Sequence, residues 1–127
     1  MNRFSAGSYP YAERVLIQCS FQDAVDNLNS IKTSGKFDHE LSFEDGPNNE
    51  DKSFYSFYFY SSEHSYIVHL LLTKASKYES TIIVSAIKNS DQGGDWIEIN
   101  NGLPENEKIK VMAWLKNKIL DNLKCKN

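Results

Sequence analysis

The sequence predicts an α+β fold: an antiparallel sheet of five to six strands, with a short helix after the first strand and a long C-terminal helix packed on one face. Three observations lead there. Runs rich in Tyr, Phe, Val, Ile and Thr recur between residues 53 and 88 with short polar turns between them, the pattern of a strand meander. Apolar residues take helical spacing after Ser20 and again after Pro104. The chain has 127 residues, 40% of them apolar, which suits one domain over residues 1–127. At that size roughly two-thirds of the unfolded surface is hidden on folding, enough for a core without covalent staples.

Taken in order, residues 1–12 mix Gly7, Pro10, serines and tyrosines without a period and read as an irregular arm. Arg14 to Cys19 is a first strand with Val15, Ile17 and Cys19 on one side. Ser20, with Asp23 three residues on, supplies the acceptors that a first helical turn needs. Phe21, Ala24, Val25, Leu28 and Ile31 then form a helical stripe, ended by Thr33-Ser34-Gly35. Lys36 to Glu44 alternates, with Phe37, His39, Leu41 and Phe43 on one side, as a half-buried strand does. Asp45 to Asp51 is a polar connector. Strands follow at Ser53 to Ser61, Ser65 to Lys74 and Ser80 to Lys88, with a last short one at Trp96 to Ile99. Pro104 opens the final helix, whose stripe runs Ile109, Met112, Leu115, Ile119 and Leu123, flanked by Val111, Trp114 and Leu120. This order of elements partly resembles helix-grip, cystatin-like and TATA-binding-protein-like architectures, a likeness of topology that implies no activity.

Charge narrows the function. From Pro104 onward six lysines face three acids, so this segment carries +3 and the remainder −6 of a total of −3. Six acids lie between Asp38 and Asp51 with no Lys or Arg. A body of that sign repels phosphate backbones and attracts cationic proteins, so nucleic acid is excluded as a partner. The longest apolar run, Ile67 to Leu72, is interrupted by His69 and falls far short of the ~20 residues of a membrane span. The first dozen residues lack the apolar stretch of a signal peptide, which favours the cytoplasm unless such a segment has been removed. Cys19 and Cys125 are too few for a disulfide scaffold or a thiolate zinc site and read as free thiols.

Catalytic, metal and cofactor chemistry find no support in spacing. His64 and His69, five positions apart on a regular strand, point to opposite faces and do not converge on a metal. His39 lies on the apolar side of its strand. No G-x-S-x-G elbow occurs, and the pairing of Cys19 with His39 is one of many that spacing does not select. Asp45, Asn49 and Asp51, and Asp91 and Asp95 around Gly93-Gly94, lack the twelve-residue calcium loop, and those glycines lack the lysine of a phosphate loop. The chain therefore reads as non-enzymatic, without metal or cofactor.

One anomaly carries the functional expectation. The central strands are apolar on both sides: Tyr55, Phe57 and Phe59 share one face, and Phe54, Ser56, Tyr58 and Tyr60 the other. With Tyr66, Val68, Leu70 and Leu72 turned to the core, Ile67, His69 and Leu71 face away, joined by Ile83, Ser85 and Ile87, then Trp96 and Glu98. Two helices cover one face, so a second face rich in rings is left for a partner, unless the arm with Phe4, Tyr9 and Tyr11 folds over it. The expected partner-binding residues are Phe54, Tyr58, Tyr60, His69 and Trp96, with Asp38, Glu40, Glu44 and Asp45 for a basic protein; self-association through the same face is the variant reading. Being small, acidic and without catalytic residues, the chain resembles in profile the inhibitors and immunity proteins of bacterial toxins. The alternative is a carrier or sensor holding a small apolar ligand between curved sheet and C-terminal helix, lined by Phe57, Phe59, Leu70 and Trp114.

Overall fold

Among the described residues, six strands and two helices follow one another as β1 (Glu13–Ile17), α1 (Phe21–Gly35), β2 (Gly46–Pro47), β3 (Phe54–Ser61), β4 (Tyr66–Ser76), β5 (Glu79–Asn89), β6 (Ile97–Glu98) and α2 (Glu105–Lys118). They are seen in a computed structural model that describes residues 12–35, 43–48, 53–89 and 94–125. All strands belong to one antiparallel sheet of order β1-β5-β4-β3-β2, with β6 also paired to β5. β1 pairs with Ser80–Val84 of β5, and β6 with Ala86 and Ile87. Since β4 occupies the other side of β5 at those residues, β1 and β6 lie end to end along its outer edge. Residues 1–11 of the arm and most of the alternating run 36–44 lie outside the described residues, His39 among them; Phe43 and Glu44 belong to no strand. The connector after them holds the two-residue β2, and its Pro47 is tolerated because this is a sheet edge.

One face of the sheet carries the main core. Phe57 and Phe59 of β3, Tyr66, Val68, Leu70 and Leu72 of β4, and Ile82, Val84 and Ile87 of β5 pack with Ala24, Val25, Leu28 and Ile31 of α1 and with Val111, Trp114 and Leu115 of α2. Ser20 caps α1 by accepting the backbone N–H of Asp23 (3.3 Å) on its hydroxyl. The two helices have nearly equal lengths, 15 and 14 residues, so the expected contrast of a short first and a long last helix is corrected. α2 ends at Lys118, and a single 3-10 turn, Leu120–Asn122, continues the chain. The expected stripe on α2 also shifts. Ile109 is 60% exposed, whereas Val111, Trp114 and Leu115 are buried, because a face centred on Val111 repeats three and four residues later and leaves Ile109 almost opposite.

A single extra residue disturbs the meander. His69 pairs with Ala86, but Leu70 pairs with Val84, so Ser85 is a β-bulge on β5. Alternation places Ile87 on the second face; the bulge resets the phase, and Ile87 lies in the main core three residues after Val84. Ser85 and Ala86 both end up on the His69 side, where they border the same hollow.

The two cysteines, expected as free thiols, are instead bonded to one another across 106 residues of sequence. Their Cα atoms lie 5.2 Å apart, inside the roughly 4.4–6.8 Å that a disulfide allows. The C-terminal segment brings Cys125 back to Cys19, held on α1 by the Lys124 N–H donating to Asn27 Oδ1 (2.7 Å). Cys19 itself is fully buried. Denaturing thiol titration without reductant is therefore expected to find no free thiol. Reduction, or Cys125→Ser, should lower the unfolding free energy by about 2–5 kcal/mol, since the closed loop spans most of the chain. Two titratable thiols in the untreated protein would show the link to be absent.

Candidate functional site

On the face away from the helices, four rings from two strands and two connecting segments meet. Tyr58 of β3 stands opposite His69 of β4 in register, and their rings stack at 4.7 Å between centroids and 14° between planes. Phe43 stacks on Tyr58 from the other direction (5.1 Å, 23°). Trp96, just before β6, abuts all three at steeper angles, 5.4 Å from Phe43, 6.0 Å from Tyr58 and 5.9 Å from His69. Such offset and tilted arrangements suit the ring quadrupoles. Beside them lies a hollow of about 270 Å³ bordered by Ala12, Tyr58, His69, Ser85, Ala86, Trp96 and Glu98.

Two tethers hold the stack. The Asp45 carboxylate accepts the backbone N–H of Tyr58 (2.9 Å) and pairs with Lys32 of α1 (2.8 Å), so the segment carrying Phe43 is fastened to both sheet and helix. The Lys32 ammonium also sits 5.7 Å over the Phe59 ring. The second tether is the bulge. Ser85 Oγ lies 2.6 Å from His69 Nδ1, and Ser56 Oγ of the neighbouring strand 3.3 Å from Nε2. A serine hydroxyl both donates and accepts, so the two serines match either tautomer of a neutral imidazole.

Burial pushes the His69 pKa down to about 4, since the desolvated ring loses more as a cation than as a neutral group. Among the described residues the ring's side-chain hydrogen-bond partners are these two serine hydroxyls and not a carboxylate, and at neutral pH it stands as an uncharged part of the wall. His64 lies on the helix side instead, stacked on Tyr66 (5.1 Å) and 3.1 Å from Ser61 Oγ through its Nδ1. The two histidines thus occupy opposite faces. Among the described residues no group of three or more His, Cys, Asp and Glu is placed to hold a metal ion.

Of the residues expected to meet a partner, Tyr58, His69 and Trp96 come together, and Tyr60 stands half-buried farther along the same strand face. Phe54 is buried under this face with Ala12, Leu71 and Ile83, beneath the surface rather than on it. Glu44 is exposed, whereas the Asp45 carboxylate is committed to Lys32 and the Tyr58 amide; Asp38 and Glu40 lie outside the described residues. The four residues of the alternative pocket, Phe57, Phe59, Leu70 and Trp114, are 0%, 0%, 1% and 4% exposed and pack within the main core. Phe43 and Ala86 were missed as site residues. The alternating run places Phe43 among apolar neighbours but does not say which ring it meets, and a bulge leaves no mark in residue type. No protein-family model, curated protein or solved structure matches this chain.

The depressed His69 pKa fixes a pH dependence. Between its value in the folded chain and the ordinary value near 6.5, the unfolded chain binds the extra proton, so stability rises with pH there. The contribution is fully present above about pH 6.5 and is lost as the pH falls to about 4, roughly 3 kcal/mol in all. Denaturant melts across this range should show that slope in the wild type and a flatter one in His69→Gln. Equal slopes in the two proteins would contradict the assignment.

Proposed function

We propose that the chain is a non-enzymatic protein-binding module whose contact surface is the ring-bearing side of its sheet. One observation carries this reading: Tyr58, His69 and Trp96 line a hollow, half-buried, on the face that neither helix covers, with Phe43 packed against Tyr58 and Trp96. Tyr and Trp dominate the energetics of recognition surfaces because they combine large apolar area with a polar tip. The acidic surroundings, with −6 outside the C-terminal segment, favour a basic partner through long-range attraction. An inhibitor or immunity-like role fits this profile, and association of two copies through the same face is its variant. The alternative carrier reading draws less support, because its four residues are closed into the core. Among the described residues no helix is long and apolar enough to cross a membrane. Since disulfides persist where thiols are not kept reduced, we expect the chain to work in an oxidising compartment rather than in the cytoplasm favoured by its sequence.

Affinity capture from the native source, with light scattering on the isolated chain, tests the proposal. Wild type is expected to retain a distinct partner or to self-associate. Tyr58→Ala and Trp96→Ala, each shown to be folded by circular dichroism, should weaken that binding by about 30-fold or more, the effect of removing an interface anchor. A wild type that stays monomeric and retains the same proteins as the two variants would overturn it.

A further inference from the structure

The hollow beside His69 is small, walled by rings and bordered by one carboxylate. At about 270 Å³ it falls below the roughly 300–1,000 Å³ taken by drug-sized ligands, but it has room for the end of one long side chain. Its lining includes the rings of Tyr58, His69 and Trp96, the Ser85 side chain and Glu98, the charged residue among the described lining. Two cations stand nearby, and neither lines it. The Arg14 guanidinium donates to the Ala12 carbonyl (3.3 Å), and the Lys88 ammonium donates to the Gly94 carbonyl. Glu98 accepts from the Asn101 side-chain amide (3.2 Å), which leaves its second oxygen for another donor. Glu44 and Asp95, which adjoin Phe43 and Trp96 in sequence, are both exposed.

Ring faces and a carboxylate around one small space attract a planar cation. The guanidinium stacks on aromatic faces, is weakly hydrated, and offers five donors in a fixed fork that matches carboxylate and hydroxyl acceptors together. A compact ammonium matches that set less well. We propose that this hollow receives an arginine guanidinium from a basic protein partner, stacked against the Trp96 ring, with Glu98 as its counter-ion and Ser85 beside it. The proposal rests on the protein-binding reading above and names the chemistry of the group that is bound. The neutral state of His69 favours it, because a second cation in the wall would repel the guest.

The test titrates the ¹⁵N-labelled chain with Nα-acetylarginine methylamide and, separately, with the citrulline analogue, which has the same shape without the charge. A saturable shift of the Trp96 indole N–H is expected with the arginine compound, with the buried Trp114 indole unmoved as the control for fold. Citrulline should bind about tenfold more weakly or worse, and Glu98→Gln should weaken arginine binding several-fold. No saturable shift, equal binding of the two compounds, or arginine binding unchanged in Glu98→Gln would overturn the proposal. Those outcomes are distinct from failure of the protein-binding reading, which would show as partner retention unchanged in Trp96→Ala.

Discussion

The extra residue at Ser85 is the constraint on which the second face depends. Without it, strict alternation carries Ile87 to that face and turns Ala86 to the core. With it, Val84 and Ile87 both stay in the main core, and Ser85 and Ala86 both reach the His69 side. The bulge also falls between the stretches of β5 used by β1 and by β6, where the Ser85 carbonyl accepts the Ile99 N–H (3.1 Å). One local irregularity therefore sets the side-chain phase, the attachment of β6, and the serine that holds the histidine ring. Bulges commonly re-aim side chains in this way near functional sites.

The main core and the ring cluster proposed as a contact surface lie on opposite sides of the same sheet. The helix side holds nearly all of the large closed side chains, and the Cys19–Cys125 link ties the end of the chain to the entrance of α1. That side is complete in itself. The other side has a smaller buried cluster of Ala12, Phe54, Leu71 and Ile83, and only beyond it do the half-exposed rings gather. A substitution among those rings removes less packing than one in the main core, so a contact surface can vary there without unfolding the chain.

Neutrality inside and negative charge outside divide the electrostatic work. Desolvation keeps the His69 ring uncharged, and serine hydroxyls rather than an acid satisfy it, so the ring serves as a surface. At the other edge of the stack, the Asp45 carboxylate is enclosed with Lys32 and fixes geometry. Glu13, where β1 meets β6, is likewise taken up within the fold, bonded to Asn100 (2.6 Å) and Lys108 (3.0 Å), and the Asn100 bond with the Lys108 charge holds its carboxyl below the usual range. Glu98 faces solvent where it borders the hollow, and Glu44 and Asp95, the sequence neighbours of Phe43 and Trp96, are exposed as well.

The sequence by itself determined the class of fold, the meander with its faces at Tyr55, Phe57 and Phe59 against Phe54, Ser56, Tyr58 and Tyr60, and the excess of rings on the second side. These are local properties: side-chain period and turn chemistry are written in neighbouring residues. Tertiary structure alone decided the pairing of Cys19 with Cys125, the capture of Asp45 by Lys32, the stacking of Phe43 on Tyr58, and the phase of β5 after Ser85. Each of the first three joins residues 13 or more positions apart, and the bulge depends on what β4 presents opposite β5. Residue type carries no record of such distances, because they are set by how the sheet closes and which groups its interior can satisfy.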